Sequence, residues 1–278
     1  MNLYDVLFEA QAEHRKELSE LKFLEMLKER AKNSHSIMKQ MPIFKEDHGA
    51  DFMIVTPAEK ETRSSFWIDR FLPSVKSWDR FPSRTRFIRG YTSVERLGGS
   101  SKDHYVVIPE DRSKVGICPT SSFYRSFNHA EKSMGITRVD NDGLGNWIEN
   151  VFKGICDIYP DANLKVRSPE TYADFKKMLK EADREIKGNQ SKFKKLLKDH
   201  DGLADEEKLV LTDLFDRHVT DCETYLAEKF DPDQNKFTAS RVESLSAVSG
   251  DREVWIGEPC LLIRRSKYIE LYEKGTIK

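Results

Sequence analysis

Two carboxylates near the carboxyl end of the chain lie where a turn should pass into a strand. Asp251 and Glu253 follow the small-residue segment 246–250 and come directly before the apolar run Val254–Ile256. A carboxylate held at the mouth of a strand can stabilise positive charge that develops in a transition state. A second apolar run, 260–263, follows a Gly-Glu-Pro turn, so we predict a hairpin with the acidic pair at its entrance.

This pattern resembles the terminal Glu-x-Glu motif of the mono-ADP-ribosyltransferases, in which a small-residue loop also precedes the motif. The resemblance implies that NAD is the substrate and that Glu253 is the invariant glutamate of the family. Cleavage of the nicotinamide–ribose bond leaves an oxocarbenium-like ribose, which a carboxylate holding the ribose 2′-hydroxyl stabilises. The first acid of the motif orients the acceptor nucleophile. Here it is Asp251 instead of a glutamate, so the acceptor chemistry stays open.

The family also has an arginine on an early strand, which binds the NAD pyrophosphate, and a later strand whose hydroxyl group contacts the nicotinamide ribose. Two alignments are consistent with this chain. In the first, the arginine is Arg89, within the apolar segment 87–91. The hydroxyl strand is then 119–123, with Ser121 or Ser122 as the contact.

In the second alignment, the segment around Arg89 is itself the hydroxyl strand. Thr92 and Ser93 then face the ribose, and Arg84 or Arg86 binds the phosphates. We slightly favour Arg89 as the arginine that binds NAD. Both alignments stay open at this point.

Other chemistries have weaker support. Cys118 with His104 or His129 would make a nucleophile–base pair, but no strand-to-helix elbow surrounds this cysteine. Neither GxxxxGK[ST] nor GxGxxG occurs in the chain. The polar loop 140–143 departs from calcium-loop spacing, because Arg138 would take the first ligand position, where a carboxylate is required. We therefore predict no resident metal.

The composition indicates a globular protein without a membrane span. Of the 278 residues, 33% are charged and 38% hydrophobic, and 46 Lys+Arg against 47 Asp+Glu leave a formal net charge of −1. A polyanion must therefore be bound locally. Apolar runs stay far below the ~18–20 residues that cross a bilayer, and the first residues lack a signal-peptide pattern. Four cysteines without a CxxC pair favour reduced thiols in a cytoplasmic protein, or in one delivered into a host cytoplasm.

The hydrophobic periodicity predicts an α+β fold, and the resemblance implies an ADP-ribosyltransferase-like split β-sheet core. A long amphipathic helix over 3–40 either packs on its own domain or docks a protein partner or inhibitor. We expect an N-terminal helical region, 1–45, and a transferase-like domain, 46–278, with a helical insertion at about 168–232. The predicted strands are 52–55, 87–88, 105–108, 114–118, 254–256, 261–263 and 268–271.

The leading functional hypothesis is transfer of ADP-ribose from NAD to a macromolecular acceptor, either protein or nucleic acid, by a toxin-like or effector-like enzyme. Residues 175–199 carry eight lysines and one arginine against four acids, which either form a solvated face or contact phosphates. The alternative is a non-catalytic, phage-derived interaction protein that docks a partner through its N-terminal helix. The segment 82–119 is loosely similar to a stretch of uncharacterised tailed-phage proteins.

Overall fold

The chain forms two compact units, and a computed structural model describes part of each. The described residues are 14–31, 43–45, 49–57, 68, 71–92, 104–133, 222–242, 245, 248 and 250–277, with scattered single positions between 173 and 212. Unit 1 comprises residues 1–61, 79–123 and 237–278, and unit 2 comprises 62–78 and 124–236. Within the region expected at 1–45, residues 14–17 and 43–45 pair with strands from later segments.

The strands of unit 1 form an antiparallel sheet of order β1-β3-β9-β5-β2-β4-β8-β6-β7. Strand β2 pairs with β5 along its length but with β4 only where Ile43 lies opposite Tyr91, so a short junction joins two four-stranded groups. The mixed, antiparallel architecture agrees with the α+β class. The strands are β1 (His14–Glu17), β2 (Ile43–Lys45), β3 (Phe52–Thr56), β4 (Ile88–Tyr91), β5 (His104–Pro109), β6 (Lys114–Ile117), β7 (Thr238–Arg241), β8 (Glu253–Ile256) and β9 (Cys260–Arg264).

Four helices have defined bounds in the described part of the chain. They are α1 (Glu20–Arg30), α2 (Asn128–Ser133), α3 (Cys222–Lys229) and α4 (Arg265–Glu273). The described single positions between 173 and 212 are also helical, within the stretch where the sequence predicts a helical insertion. None of the helices in the described segments has both the length and the apolar character that crossing a membrane requires.

The prediction of one continuous helix over 3–40 is wrong. Residues His14–Glu17 form an edge strand paired with β3, and α1 begins only after Ser19, whose Oγ accepts the Lys22 N–H at 3.3 Å. The apolar side of α1 lies in the core of unit 1, where the rings of Phe23 and Phe52 are 4.9 Å apart. The helix therefore packs on its own domain, the first of the two alternatives for it.

The strand predicted at 268–271 is also wrong, because these residues belong to α4. Glu270 forms ion pairs with Lys267 at 2.9 Å and with Lys274 at 2.6 Å, one helical turn away on either side. Pairs at these spacings stabilise a helix but have no equivalent in a strand. These two bonds also lower the pKa of Glu270 to about 2.

Strand β8 lies between β4 and β6, and its two faces have different surroundings. Val254 and Ile256 belong to the main core, with Ile88, Val115 and Ile117 from the neighbouring strands. Because side chains alternate along a strand, Glu253 and Trp255 lie on the opposite face. A second layer of side chains covers that face, and the candidate site is built there.

Unit 2 has an aromatic core of its own. The Trp78 Nε1–H donates to the Phe230 carbonyl at 2.9 Å, and the Phe127 and Phe230 rings are 5.0 Å apart, edge to face. Asn235, 3% exposed, uses its whole amide within this unit. Its Oδ1 accepts the N–H groups of His129 and Ala130 at 3.2 Å each, at the start of α2. Its Nδ2 donates at 2.9 Å to two carbonyls at the end of α3, those of Lys229 and Asp231.

We expect Asn235→Ala to lower the free energy of unfolding by about 2 to 3 kcal/mol, because it leaves buried backbone groups unsatisfied. Urea denaturation measures the change. The control is Gln234→Ala at the neighbouring exposed position, for which we expect a change within about 0.5 kcal/mol. Equal midpoints for the two variants would contradict the proposed role of Asn235.

Candidate functional site

Three segments singled out from the sequence meet at the first residue of β8. Tyr91, at the end of β4, pairs with Glu253. On the other side, the Glu253 N–H donates to the Thr120 carbonyl and the Cys118 N–H donates to the Glu253 carbonyl, both at 2.9 Å. These bonds join the segment after β6 to the entrance of β8. Backbone pairing thus brings residues 84–92, 118–123 and 250–253 together within unit 1.

The Glu253 side chain is buried, with 4% of its residue surface exposed. Its Oε2 accepts the backbone N–H of Phe123 at 2.9 Å, and its Oε1 lies 3.5 Å from Nη1 of Arg84, which is also 4% exposed. Burial of a carboxylate is costly unless a charge and hydrogen bonds compensate it, and here both are present. Of the candidate arginines, Arg84 is therefore the one that the structure places against Glu253.

Aromatic rings enclose the Arg84 guanidinium. Its Cζ lies 3.6 Å from the Phe123 ring centroid, 4.0 Å from that of Phe87 and 5.3 Å from that of Trp255. A cation over ring faces is attracted by their negative electrostatic potential, and more strongly where water is excluded. We call Arg84, Glu253, Phe87, Phe123 and Trp255 the Arg84 cluster. It covers the face of β8 that points away from the main core.

Gly116 makes room for this cluster. It lies opposite Trp255 across β6 and β8, and a Cβ at this position would overlap Cε2 and Cζ2 of the indole. The indole Nε1–H donates to the Pro82 carbonyl at 3.0 Å, two residues before Arg84. The motifs in the sequence do not mark Gly116 or Phe123 as site residues. A glycine inside a strand pattern is a signal of close approach that could have indicated the first of them.

Thr92 holds the entrance of β8. Its hydroxyl donates to the Gly250 carbonyl at 2.5 Å and accepts the Arg252 N–H at 2.9 Å, while its own N–H donates to the Arg252 carbonyl at 3.0 Å. The Arg252 guanidinium donates to the carbonyls of Cys118 and Pro119 at 3.4 and 3.3 Å. In this conformation the Thr92 hydroxyl therefore binds backbone, and it positions Asp251 and Glu253.

Ser121 and Ser122 are half-buried and lie past the end of β6, so the hydroxyl strand predicted at 119–123 is an irregular segment. There the Thr120 hydroxyl donates to the Ser122 carbonyl at 2.9 Å and accepts the Ser122 N–H at 3.3 Å, which closes a tight turn. Such local bonding competes with strand pairing.

Some of the other residues predicted to bind NAD or the acceptor lie near Glu253, and others do not. Arg89 is half-buried in β4 opposite Trp255, and Asp251 is half-buried beside Glu253. The Arg86 Nε–H donates to the Pro57 carbonyl at 2.7 Å. Ser93 lies outside the described residues.

The competing chemistries gain no support from the described positions. Cys118 is completely buried, as expected for a packing residue, and His104 lies in β5, which does not pair with the strand before Cys118. Within the described residues, no group of three or more His, Cys, Asp and Glu side chains is arranged to hold a metal ion. The loop 140–143 lies outside them.

No family model matches the chain, and comparisons with curated proteins and with solved structures found no match either. The resemblance to mono-ADP-ribosyltransferases therefore depends on its short motifs. The case for any function has to be made from the geometry around Glu253.

We expect Gly116→Ala to displace the Trp255 indole and to destabilise the protein by about 1 to 3 kcal/mol, since the added methyl group overpacks a filled face. Denaturant unfolding gives the loss, and tryptophan fluorescence reports the change around the indole. Gly49→Ala is the matched control, because nothing lies within 4 Å of a Cβ at that position. Similar behaviour of the two variants would show that the strand tolerates a side chain here.

A double-mutant cycle tests whether Arg84 and Glu253 depend on each other. Arg84→Met and Glu253→Gln each strand a buried charge, so each should cost about 3 to 5 kcal/mol, and the double variant should cost less than their sum. The control cycle uses Arg30→Met and Glu110→Gln, an exposed pair whose charged atoms are 3.1 Å apart. For this pair we expect a coupling energy of at most about 1 kcal/mol. A coupling energy between Arg84 and Glu253 no larger than that of the control pair would contradict their mutual dependence.

Proposed function

We propose that this protein is a NAD-dependent mono-ADP-ribosyltransferase that modifies a macromolecular acceptor. The observation that carries the proposal is the convergence of residues 84–92, 118–123 and 250–253 around the Glu253 carboxylate. These segments are far apart in the sequence, and the family resemblance requires that they form one site.

In this proposal Glu253 binds the ribose 2′-hydroxyl and stabilises the positive charge that develops on the ribose. Asp251, two residues earlier on the same strand entrance, orients the acceptor. Arg89, Ser121 and Ser122 are half-buried in the same part of unit 1, which supports contacts with NAD. Thr92 and Arg252 act through the backbone, because their hydrogen bonds hold the segments that carry Asp251 and Glu253.

The burial of Glu253 imposes a requirement on the proposal. The carboxylate becomes accessible to a ribose only if the Arg84 guanidinium moves away. The separation of 3.5 Å from Nη1 to Oε1 is long for a charge-assisted hydrogen bond, and Arg84 lies in an irregular segment before β4. The pyrophosphate of NAD is an alternative anion for this guanidinium. Arg84 would thus exchange Glu253 for phosphate when NAD binds.

A second function, a non-catalytic interaction protein, is favoured by one observation. Both oxygens of Glu253 already have partners within the protein, and the residue is 4% exposed, as expected for a structural ion pair. The apolar side of α1 is covered by the core of unit 1. A partner would therefore have to bind a surface other than the apolar side of α1.

The experiment is transfer of label from tagged NAD into a cell lysate, with nicotinamide release measured in parallel. We expect Glu253→Gln to lower turnover by about 100-fold or more, since a group that stabilises transition-state charge is lost. Glu110→Gln, at an exposed position in unit 1, should retain wild-type turnover. Protease and nuclease treatment of the labelled lysate then identifies the acceptor as protein or nucleic acid.

The Glu253→Gln substitution removes the carboxylate that pairs with Arg84, so it also destabilises the protein. Folding must therefore be measured separately from activity. Circular dichroism and NAD binding by Glu253→Gln separate a folded, binding-competent but slow enzyme from an unfolded one. Arg84→Gln should weaken NAD binding. Wild-type protein that releases no nicotinamide and transfers no label would contradict the transferase and favour the interaction protein.

A further inference from the structure

Three cations are exposed among the described helical positions 173–184 of unit 2. Lys177, Lys180 and Arg184 are exposed, whereas Glu181 and Asp183 are half-buried. Every described position in this range is helical. Part of the positive charge that the sequence shows over 175–199 is therefore exposed on this helical segment.

Two contacts explain which side faces outward. The Asp183 Oδ1 accepts the N–H of Cys222 at 2.7 Å, at the start of α3. Lys176, which is half-buried, forms an ion pair with Glu223 at 3.1 Å. Both contacts turn positions 176 and 183 toward α3. At about 100° per residue, the three exposed cations then share one side of the helix, which flanks the inward-facing positions.

We propose that these three cations, which we call the basic stripe, bind the phosphate backbone of a nucleic acid. From Lys177 to Arg184 the helix rises about 10 Å, at ~1.5 Å per residue. A duplex presents one negative charge per ~1.7 Å of its axis, so the stripe can face several phosphates at once. The formal net charge of −1 provides no attraction over the whole molecule, which leaves attraction to a local feature of this kind.

The described surface favours a nucleic acid over a lipid membrane. A helix that lies on a membrane surface inserts apolar side chains beside its basic ones. The large hydrophobic side chains exposed in the described segments are Leu21, Ile269 and Tyr272, all in unit 1. The described positions of 173–212 contribute none. Exposed cations attract the closely spaced phosphates of a nucleic acid without needing insertion.

Fluorescence anisotropy with the full chain tests the proposal, using a labelled DNA duplex and a labelled single strand of equal length, without NAD. The test variant is the triple Lys177→Gln, Lys180→Gln, Arg184→Gln. We expect its affinity at about 50 mM salt to fall by at least about tenfold. The slope of log K against log salt for the duplex should become less steep by about 2 to 3, at ~0.9 per phosphate contact.

The matched control is the triple Lys16→Gln, Lys28→Gln, Lys76→Gln. It removes the same three charges at exposed positions outside the basic stripe. We expect it to bind like the wild type. Circular dichroism confirms that both triples are folded. The proposal does not depend on the transferase, because the assay contains no NAD and measures binding alone.

Three results would overturn the proposal. The first is wild-type protein that binds neither DNA form. The second is an equal loss of affinity in both triples, which would show a response to total charge. The third is stripe-dependent binding to phosphatidylcholine–phosphatidylserine vesicles but not to DNA, which would assign the surface to a membrane.

Discussion

The contact between the Arg84 guanidinium and the Glu253 carboxylate is the constraint on which the candidate site depends. Neither charge is stable in a buried place alone, so each requires the other, together with the Phe123 N–H and the surrounding rings. The contact explains why β6 carries a glycine opposite Trp255, since any larger residue would push the indole out of the cluster. It also connects the segment before β4 with the entrance of β8. The sheet and the candidate chemistry thus share one set of residues.

Because the same residues stabilise the sheet and form the candidate site, access to Glu253 is restricted. A carboxylate that is to act on a substrate must be reached by it, whereas Glu253 is enclosed by its own protein. The proposed exchange of Arg84 from carboxylate to pyrophosphate resolves the conflict, because the guanidinium keeps an anionic partner throughout. Thr92 and Arg252 hold the backbone on both sides of the carboxylate while the exchange takes place. The same conflict is the physical basis of the non-catalytic alternative, in which the pair never opens.

In unit 2, polar groups determine how the helices are oriented within the unit. Asn235 uses all of its hydrogen-bonding capacity to join the start of α2 to the end of α3. Asp183 and Lys176 do the same for the helical segment 173–184 by contacting residues at the start of α3. Because these partners are fixed, the rotation of the segment is fixed as well. Lys177, Lys180 and Arg184 are exposed on the side of the segment that flanks these inward contacts.

The sequence by itself determined the strands whose apolar runs lie between turn residues, and with them the α+β class, because burial on both faces leaves a continuous hydrophobic run. It also singled out segments that meet at Glu253. Tertiary structure decided the rest. His14–Glu17 is a strand only because β3 offers it a free edge. The helix over 268–271, in contrast, is supported by local side-chain pairs one turn apart, a signal that the sequence contains. Local pattern does not reveal that Glu253 is buried against Arg84, because 169 residues separate them and only the folded sheet brings them together.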